Sequence, residues 1–277
     1  MIGTHPSGSQ LTVGITFRPQ SPPEELRSVV QAVDAAGVPE LWLWEDCFLE
    51  GGIASAAAAL TWSERTRVGI GLLPVPLRNP ALAAMEVATL ERLAPGRLVA
   101  GFGHGVQSWM GQVGARKSSP LTLMREYLTA VRALLDGETV DVEGRYVQLR
   151  GVALDWPPAS PPEIVIGATG EKSLRLAGEL GDGVVLSASE ERDEAAVVRA
   201  AKEIVGEGAA HSGRVGRPRI IVYTELDPGL DALEARIADR VGALAEAGAD
   251  SVVLHGTADA PDPRPYLDAL PAWAMQD

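Results

Sequence analysis

The chain has 277 residues, 46% of them apolar, enough for one large core or two small ones. Thirty-seven acidic against 24 basic residues leave a net charge of −13, which argues against nucleic acid and anionic membrane surfaces as main partners. The single cysteine, Cys47, excludes an internal disulfide and suits a reducing cytoplasm. Met1 to Gln10 lacks an apolar signal core, and no run reaches the roughly 20 apolar residues of a membrane span.

From the N-terminus, short apolar runs alternate with helical patterns. Leu11–Phe17 predicts a strand and Glu24–Ala36 a helix. Glu40–Trp44 and Gly52–Ser63 repeat the pair. Val68–Leu72 predicts a third strand. Asn79-Pro80 then opens a helix, with Asn accepting at the N-cap and Pro filling N1, and Ala94-Pro95-Gly96 stops it. Leu98–Phe102 predicts the fourth strand, which runs into the glycine loop Gly101-Phe102-Gly103-His104-Gly105. Leu121, Met124, Leu128, Val131 and Leu135 recur at helical spacing and end at Gly137.

Thr139–Arg150 breaks the alternation. Its apolar residues alternate around Glu143-Gly144 as in a hairpin, and a proline-stiffened loop from Asp155 to Pro162 follows. The pairs then resume: Glu163–Ile166 with Lys172–Leu180, and Gly183–Ser187 with Glu191–Val205. Ile220–Thr224 is followed by a helix that Asp231 and Glu234 open as a capping box. Ser251–His255 precedes a last helix, Arg264–Trp273. Eight strand-then-helix units with no linker predict an α/β fold, a single-domain (β/α)8 barrel with an insertion between helix 4 and strand 5. A doubly wound open sheet is the alternative.

Ligands of α/β proteins bind at the carboxyl ends of strands, where bare glycine backbone can approach a ligand's oxygens. Gly101–Gly105 lies at such an end, as do Asp46, Ser187 and His255. Asp46 at the end of the second strand is also readable as a helix N-cap, and Trp109 as plain packing. Gly167-Ala168-Thr169-Gly170 opens a helix whose free N–H groups suit a phosphate, with Lys172 near. No His, Cys, Asp or Glu cluster has metal-ligand spacing, and no Gly-x-Ser-x-Gly elbow occurs.

Three groups of residues together resemble the bacterial-luciferase-like superfamily. They are Ile70-Gly71-Leu72-Leu73 to Arg78-Asn79-Pro80, Gly96-Arg97 with the glycine loop, and Gly167–Gly170 to Ala177-Gly178-Glu179 and Asp182-Gly183. The branch most resembled is that of reductases using the deazaflavin coenzyme F420, over about Thr12 to Leu270. The resemblance implies a barrel that binds a deazaflavin or FMN and transfers hydride to or from a small organic substrate. It implies a catalytic role for Asp46 and cofactor contacts from Asp46, Gly71, Leu72, Gly103 and Gly105; His104 is a candidate for both roles, and Gly167, Ala168, Thr169, Gly170 and Ser187 are candidates for the cofactor's phosphate.

It also implies a non-proline cis peptide at Gly71-Leu72, and a homodimer. Related chains carry Asp-His where this one has Asp46-Cys47, so the usual proton donor is replaced by a thiol. His104 is a candidate substitute, and Gln107 and Trp109 are candidates for the substrate side. A Lys often found after the sixth strand is replaced by Glu190, with Arg264 a candidate compensating charge. The short Thr224–Asp231 connection predicts an open mouth. An FMN-dependent monooxygenase, a non-catalytic barrel that retains a flavin-like ligand, and a barrel for an unrelated phosphorylated metabolite are the alternatives.

Overall fold

A computed structural model describes residues 11–187, 193–214, 216–271 and 274–275. Eight parallel strands close a barrel: β1 (Thr12–Phe17), β2 (Glu40–Leu43), β3 (Arg67–Pro74), β4 (Leu98–Gly103), β7 (Glu163–Gly167), β8 (Gly183–Ser187), β9 (Arg219–Glu225) and β10 (Ser251–His255). β5 (Val140–Glu143) and β6 (Gln148–Val152) form the expected antiparallel hairpin between the fourth and fifth barrel strands. The sheet closes where β1 pairs with β10, so the open-sheet alternative is excluded.

The helices that cover the barrel are α1 (Leu26–Ala35), α2 (Gly52–Trp62), α3 (Pro80–Leu93), α5 (Pro120–Leu135), α6 (Glu171–Leu180), α7 (Glu194–Ser212), α8 (Leu233–Ala247) and α9 (Arg264–Ala269). Asn79 caps α3 as expected, accepting from the Ala81 amide at 2.9 Å. A short helix, α4 (Gln107–Gln112), was not anticipated.

The capping box at Asp231 does not form. Ala232 turns into the left-handed region at φ 56°, which carries the Asp231 side chain off the helix axis, and no side chain caps α8. The helix α7 runs past Val205 to Ser212 and stops at Gly213, φ 70°. It extends because Gly208 passes against the Arg175 backbone and Gly178 of α6 against that of Val205, where a Cβ would meet main chain at about 2 Å. Gly178, part of the sequence motif, therefore serves helix–helix packing. Glu190, Glu191, Trp273 and His5 lie outside the described residues.

Because side chains alternate across a strand, every second residue points into the barrel. Near the amino ends, the inward residues are charged. Glu40, 1% exposed, accepts from Arg67 (3.3 Å), Trp42 Nε1 (3.1 Å) and Ser251 (2.9 Å), and pairs with Arg219. Glu163 binds the same two arginines, at 2.8 Å to Arg67 and 3.2 Å to Arg219. Above this floor Trp42 fills the axis with Val99, Val165, Ile221 and Val253. Burial pushes the Glu40 carboxyl upward, but Arg219 and Arg67 outweigh it and hold the pKa below its usual value.

Removing one partner of such a buried cluster strands the others, so Glu40→Gln is expected to cost about 3–5 kcal/mol in chemical denaturation. The sign with pH follows from the lowered pKa. The Glu40 contribution is in place above the unfolded value of about 4.3 and is lost as pH falls through the lower folded value. The Glu40→Gln protein should lack that part of the acid limb.

Candidate functional site

At the carboxyl ends of the strands lies a cavity of about 500 Å³. Its lining combines the end of β2 (Trp44, Glu45, Asp46), the Gly71-Leu72 step of β3, the glycine loop after β4, and Gly167 to Thr169 after β7. Pro74, Val106, Trp109, Ser173, Val185, Ser187 and Tyr223 complete it. The sequence-derived candidates Asp46, Gly71, Leu72, Gly103, His104, Gly105, Gly167, Ala168, Thr169 and Ser187 thus meet around one space. Gly170 does not line it; it sits at the N-cap of α6, where its carbonyl accepts from the Ser173 and Leu174 amides at 2.9 Å.

The Gly71-Leu72 peptide is cis, and the β3–β4 register shifts there. A second non-proline cis bond, Cys47-Phe48, had no signal in the sequence. Gly103 and Gly167 line the cavity and also make room for the Leu72 side chain. A Cβ at Gly103 would lie 2.9 Å from a Leu72 methyl and at Gly167 2.0 Å, while at Gly101 it would meet the Ile70 carbonyl oxygen at 2.2 Å and a Leu72 methyl at 2.9 Å. Leu72 fills the volume that three side chains give up, and its isobutyl group forms an apolar platform at the cavity wall. Gly105 does need its glycine, at φ 69° with Met110 packed beneath.

Asp46 is half-buried. Burial raises its carboxyl pKa, and the Arg18 charge opposes that rise. The N-cap reading of Asp46 fails, because α2 starts after Gly51 and its Gly52 amide is held by Glu45 at 2.7 Å. Glu45 is in turn clamped by both Arg78 nitrogens. Burial, with the charges of Glu45 and Asp46, raises the Cys47 pKa, so the thiol stays protonated at neutral pH.

His104 Nε2 lies 3.1 Å from Ser173 Oγ, whereas Nδ1 has no protein hydrogen-bond partner. Burial lowers its pKa, against a weaker upward pull from the Pro120 carbonyl, so the imidazole is neutral at pH 7. Gln107 does not line the cavity; its amide donates to the His104 and Gly105 carbonyls and braces the glycine loop.

A side chamber of about 270 Å³ shares Ala168, Thr169 and Ser187 with the main cavity and runs between α6 and α7 past Glu171 and Glu194. Lys172 lines neither space. Arg264 cannot compensate for Glu190 as suggested, because it pairs at the surface with Asp262 (2.8 Å) and Glu25 (3.3 Å). His255 is buried behind the lining, 3.0 Å from the Gly256 carbonyl and edge-on to Trp44. Among the described residues no group of His, Cys, Asp and Glu could hold a metal ion, and no helix is long and apolar enough to cross a membrane.

Sequence reasoning missed Trp44, Tyr223 and Ser173. The first two had a signal: counting in twos from Glu40 and Arg219 places them inward at the top of β2 and β9. Ser173 had none, since it acts across 69 residues.

Residues 4–260 match the family described as luciferase-like monooxygenase. The chain belongs to this family. Its members among curated proteins include a 5,10-methylenetetrahydromethanopterin reductase of Archaeoglobus fulgidus, 32% identical over 89% of this chain and 74% of that one. Another is an F420-dependent glucose-6-phosphate dehydrogenase of Beutenbergia cavernae, 30% identical over 82% of this chain and 71% of that one. Among solved structures, an F420-dependent secondary alcohol dehydrogenase in complex with an F420-acetone adduct shares the fold. Its TM-score is 0.84 at 17% identity, with 96% of this chain and 99% of that one covered. This luciferase-like chain thus stands among oxidoreductases.

Gly167→Ala is expected to force Leu72 out of its niche at a cost of about 1–3 kcal/mol, read from thermal unfolding. Combining it with Leu72→Ala removes the clash, so the double variant should be less destabilised than the two singles summed.

Proposed function

We propose that this chain transfers hydride between coenzyme F420 and a small organic substrate. The observation that carries the reading is the meeting, in one strand-end cavity, of the apolar Leu72 platform with Asp46 and with a His104 nitrogen that has no protein partner. A flat apolar ring fits a leucine platform, and an orphaned ring nitrogen fits a site that exchanges a proton with a ligand. The F420-dependent relative at 30% identity supports the choice of cofactor.

When bound, the deazaflavin supplies a two-electron hydride carrier that reacts poorly with oxygen. The chain supplies the remainder. Gly71, Leu72, Gly103, Gly105 and Gly167 shape the wall against which the ring lies. Thr169, Ser187 and the first-turn amides of α6 hold the phosphate through hydrogen bonds rather than ion pairs, since the side chamber is lined by acids. Ser173 pins Nε2 of His104, which leaves Nδ1 to take a proton from a substrate hydroxyl or return it to a carbonyl. Asp46, whose carboxyl pKa burial raises against the opposing charge of Arg18, orients the substrate beside it. Cys47 does not line the cavity and is held as a thiol, a poor proton donor compared with His104.

Fluorescence titration should show F420 binding at micromolar concentration or tighter. His104→Gln should lower turnover by roughly 10²–10⁴ with cofactor affinity within threefold. In the direction of substrate oxidation, His104 must be neutral. Because its pKa is lowered, the rate should persist below the usual histidine value of about 6.5 and fall only on further acidification. Binding of FMN with oxygen consumption would favour a monooxygenase instead. Binding without turnover across a substrate panel would favour a non-catalytic barrel, and binding of neither cofactor would overturn the reading.

A further inference from the structure

The cavity floor contains two polar groups that the roles above do not use. Tyr223 is 5% exposed and stands in the top inward tier of the barrel. Its ring meets Trp42 edge-on at 5.5 Å and stacks on Trp44 at 5.7 Å, 23° from parallel. Its hydroxyl presses against Gly71, where a Cβ would lie 1.9 Å from Oη. Neither Tyr223 Oη nor Trp44 Nε1 has a hydrogen-bond partner in the protein, although both residues line the cavity.

The two groups do not satisfy each other. Burial, with Glu40, pushes the Tyr223 hydroxyl up, and a hydrogen-bonding contact with Trp44, too poorly aligned to satisfy either group, opposes part of that rise. The indole cannot swing round to seek another acceptor. The Arg18 guanidinium lies 4.9 Å from its centroid, and the His255 ring is edge-on at the same distance. A buried polar group without a partner is costly, and two together at a cavity floor call for a ligand that completes them. Indole nitrogen only donates, and the tyrosine hydroxyl stays protonated, so the missing partner is an acceptor. Asp46 and Glu45, the acceptors nearest in sequence, make no bond to either group; Glu45 is spent on Arg78 and Gly52.

Resting on the hydride-transfer reading, we propose that Trp44 Nε1–H and Tyr223 Oη–H are a donor pair that receives a carbonyl oxygen of the bound ligand at the cavity floor. Two ligands bring such an oxygen: the pyrimidinedione end of the deazaflavin, and a carbonyl substrate. The pair would fix which edge of its ligand faces the barrel axis.

The test uses Tyr223→Phe and Trp44→Phe in the full chain, each keeping a ring in the stack. Thermal unfolding without ligand should show Tyr223→Phe at least as stable as the parent, because the lost hydroxyl had no partner. In the first arm, F420 titrated by fluorescence should bind roughly tenfold more weakly to each variant if the oxygen is the cofactor's. In the second, cyclohexanone is titrated into F420-loaded protein. A loss of similar size here, with the first arm unchanged, assigns the oxygen to the substrate. If the variants are destabilised without ligand and match the parent in both arms, the two groups are structural and the proposal falls. If the parent binds F420 and both variants match it in both arms, the proposal falls while the hydride-transfer reading stands. If the parent itself binds neither F420 nor FMN, that reading falls first and the donor pair with it.

Discussion

Trp42 occupies the barrel axis, and its indole takes volume that side chains at Gly14 and Gly69 would need. A Cβ at Gly69 would lie 2.4 Å from the indole, and one at Gly14 3.3 Å. The same side chain donates to Glu40 below and meets Tyr223 above. The axis is therefore one packed column, from the Glu40–Arg219 floor through the indole to the site. Close packing leaves little freedom, so the height and tilt of Trp42 set where Tyr223 and then Trp44 stand.

The same exchange of volume recurs one tier higher. Gly101, Gly103 and Gly167 give up their side chains to Leu72, which becomes the wall of the cavity. The charged floor and the cavity are thus separated by apolar tiers. Below, Glu40 and Glu163 are neutralised by two shared arginines. Above, Asp46 and His104 sit in partly desolvated surroundings that move both toward their neutral forms. The buried ion cluster thus lies at the amino ends of the strands and the candidate cavity at the carboxyl ends, which is the division expected of such barrels.

Much of this was legible from local pattern. The eight strands, the hairpin insertion, the Asn79 cap and the clustering of candidate residues followed from period-two and period-3.6 patterning and from turn chemistry. The failures were equally physical. The capping box at Asp231 was a correct local signal overridden by a left-handed Ala232. The helix α7 outran its expected end because glycines that look like breakers are close-packing positions against α6. Arg264 was a charge without an address, since loop arginines reach whichever acid is near.

By itself, the sequence determined the barrel and the strand ends at which the candidate residues lie, because these depend on residue order and short-range periodicity. Tertiary structure alone decided that glycines of the fourth and fifth barrel strands make room for Leu72, that Ser173 holds His104, and that the inward-facing Trp44 and Tyr223 keep unpartnered polar atoms. Each of those facts joins residues tens to hundreds of positions apart. Only closure of the barrel brings them within reach, and sequence spacing carries no trace of distances set by closure.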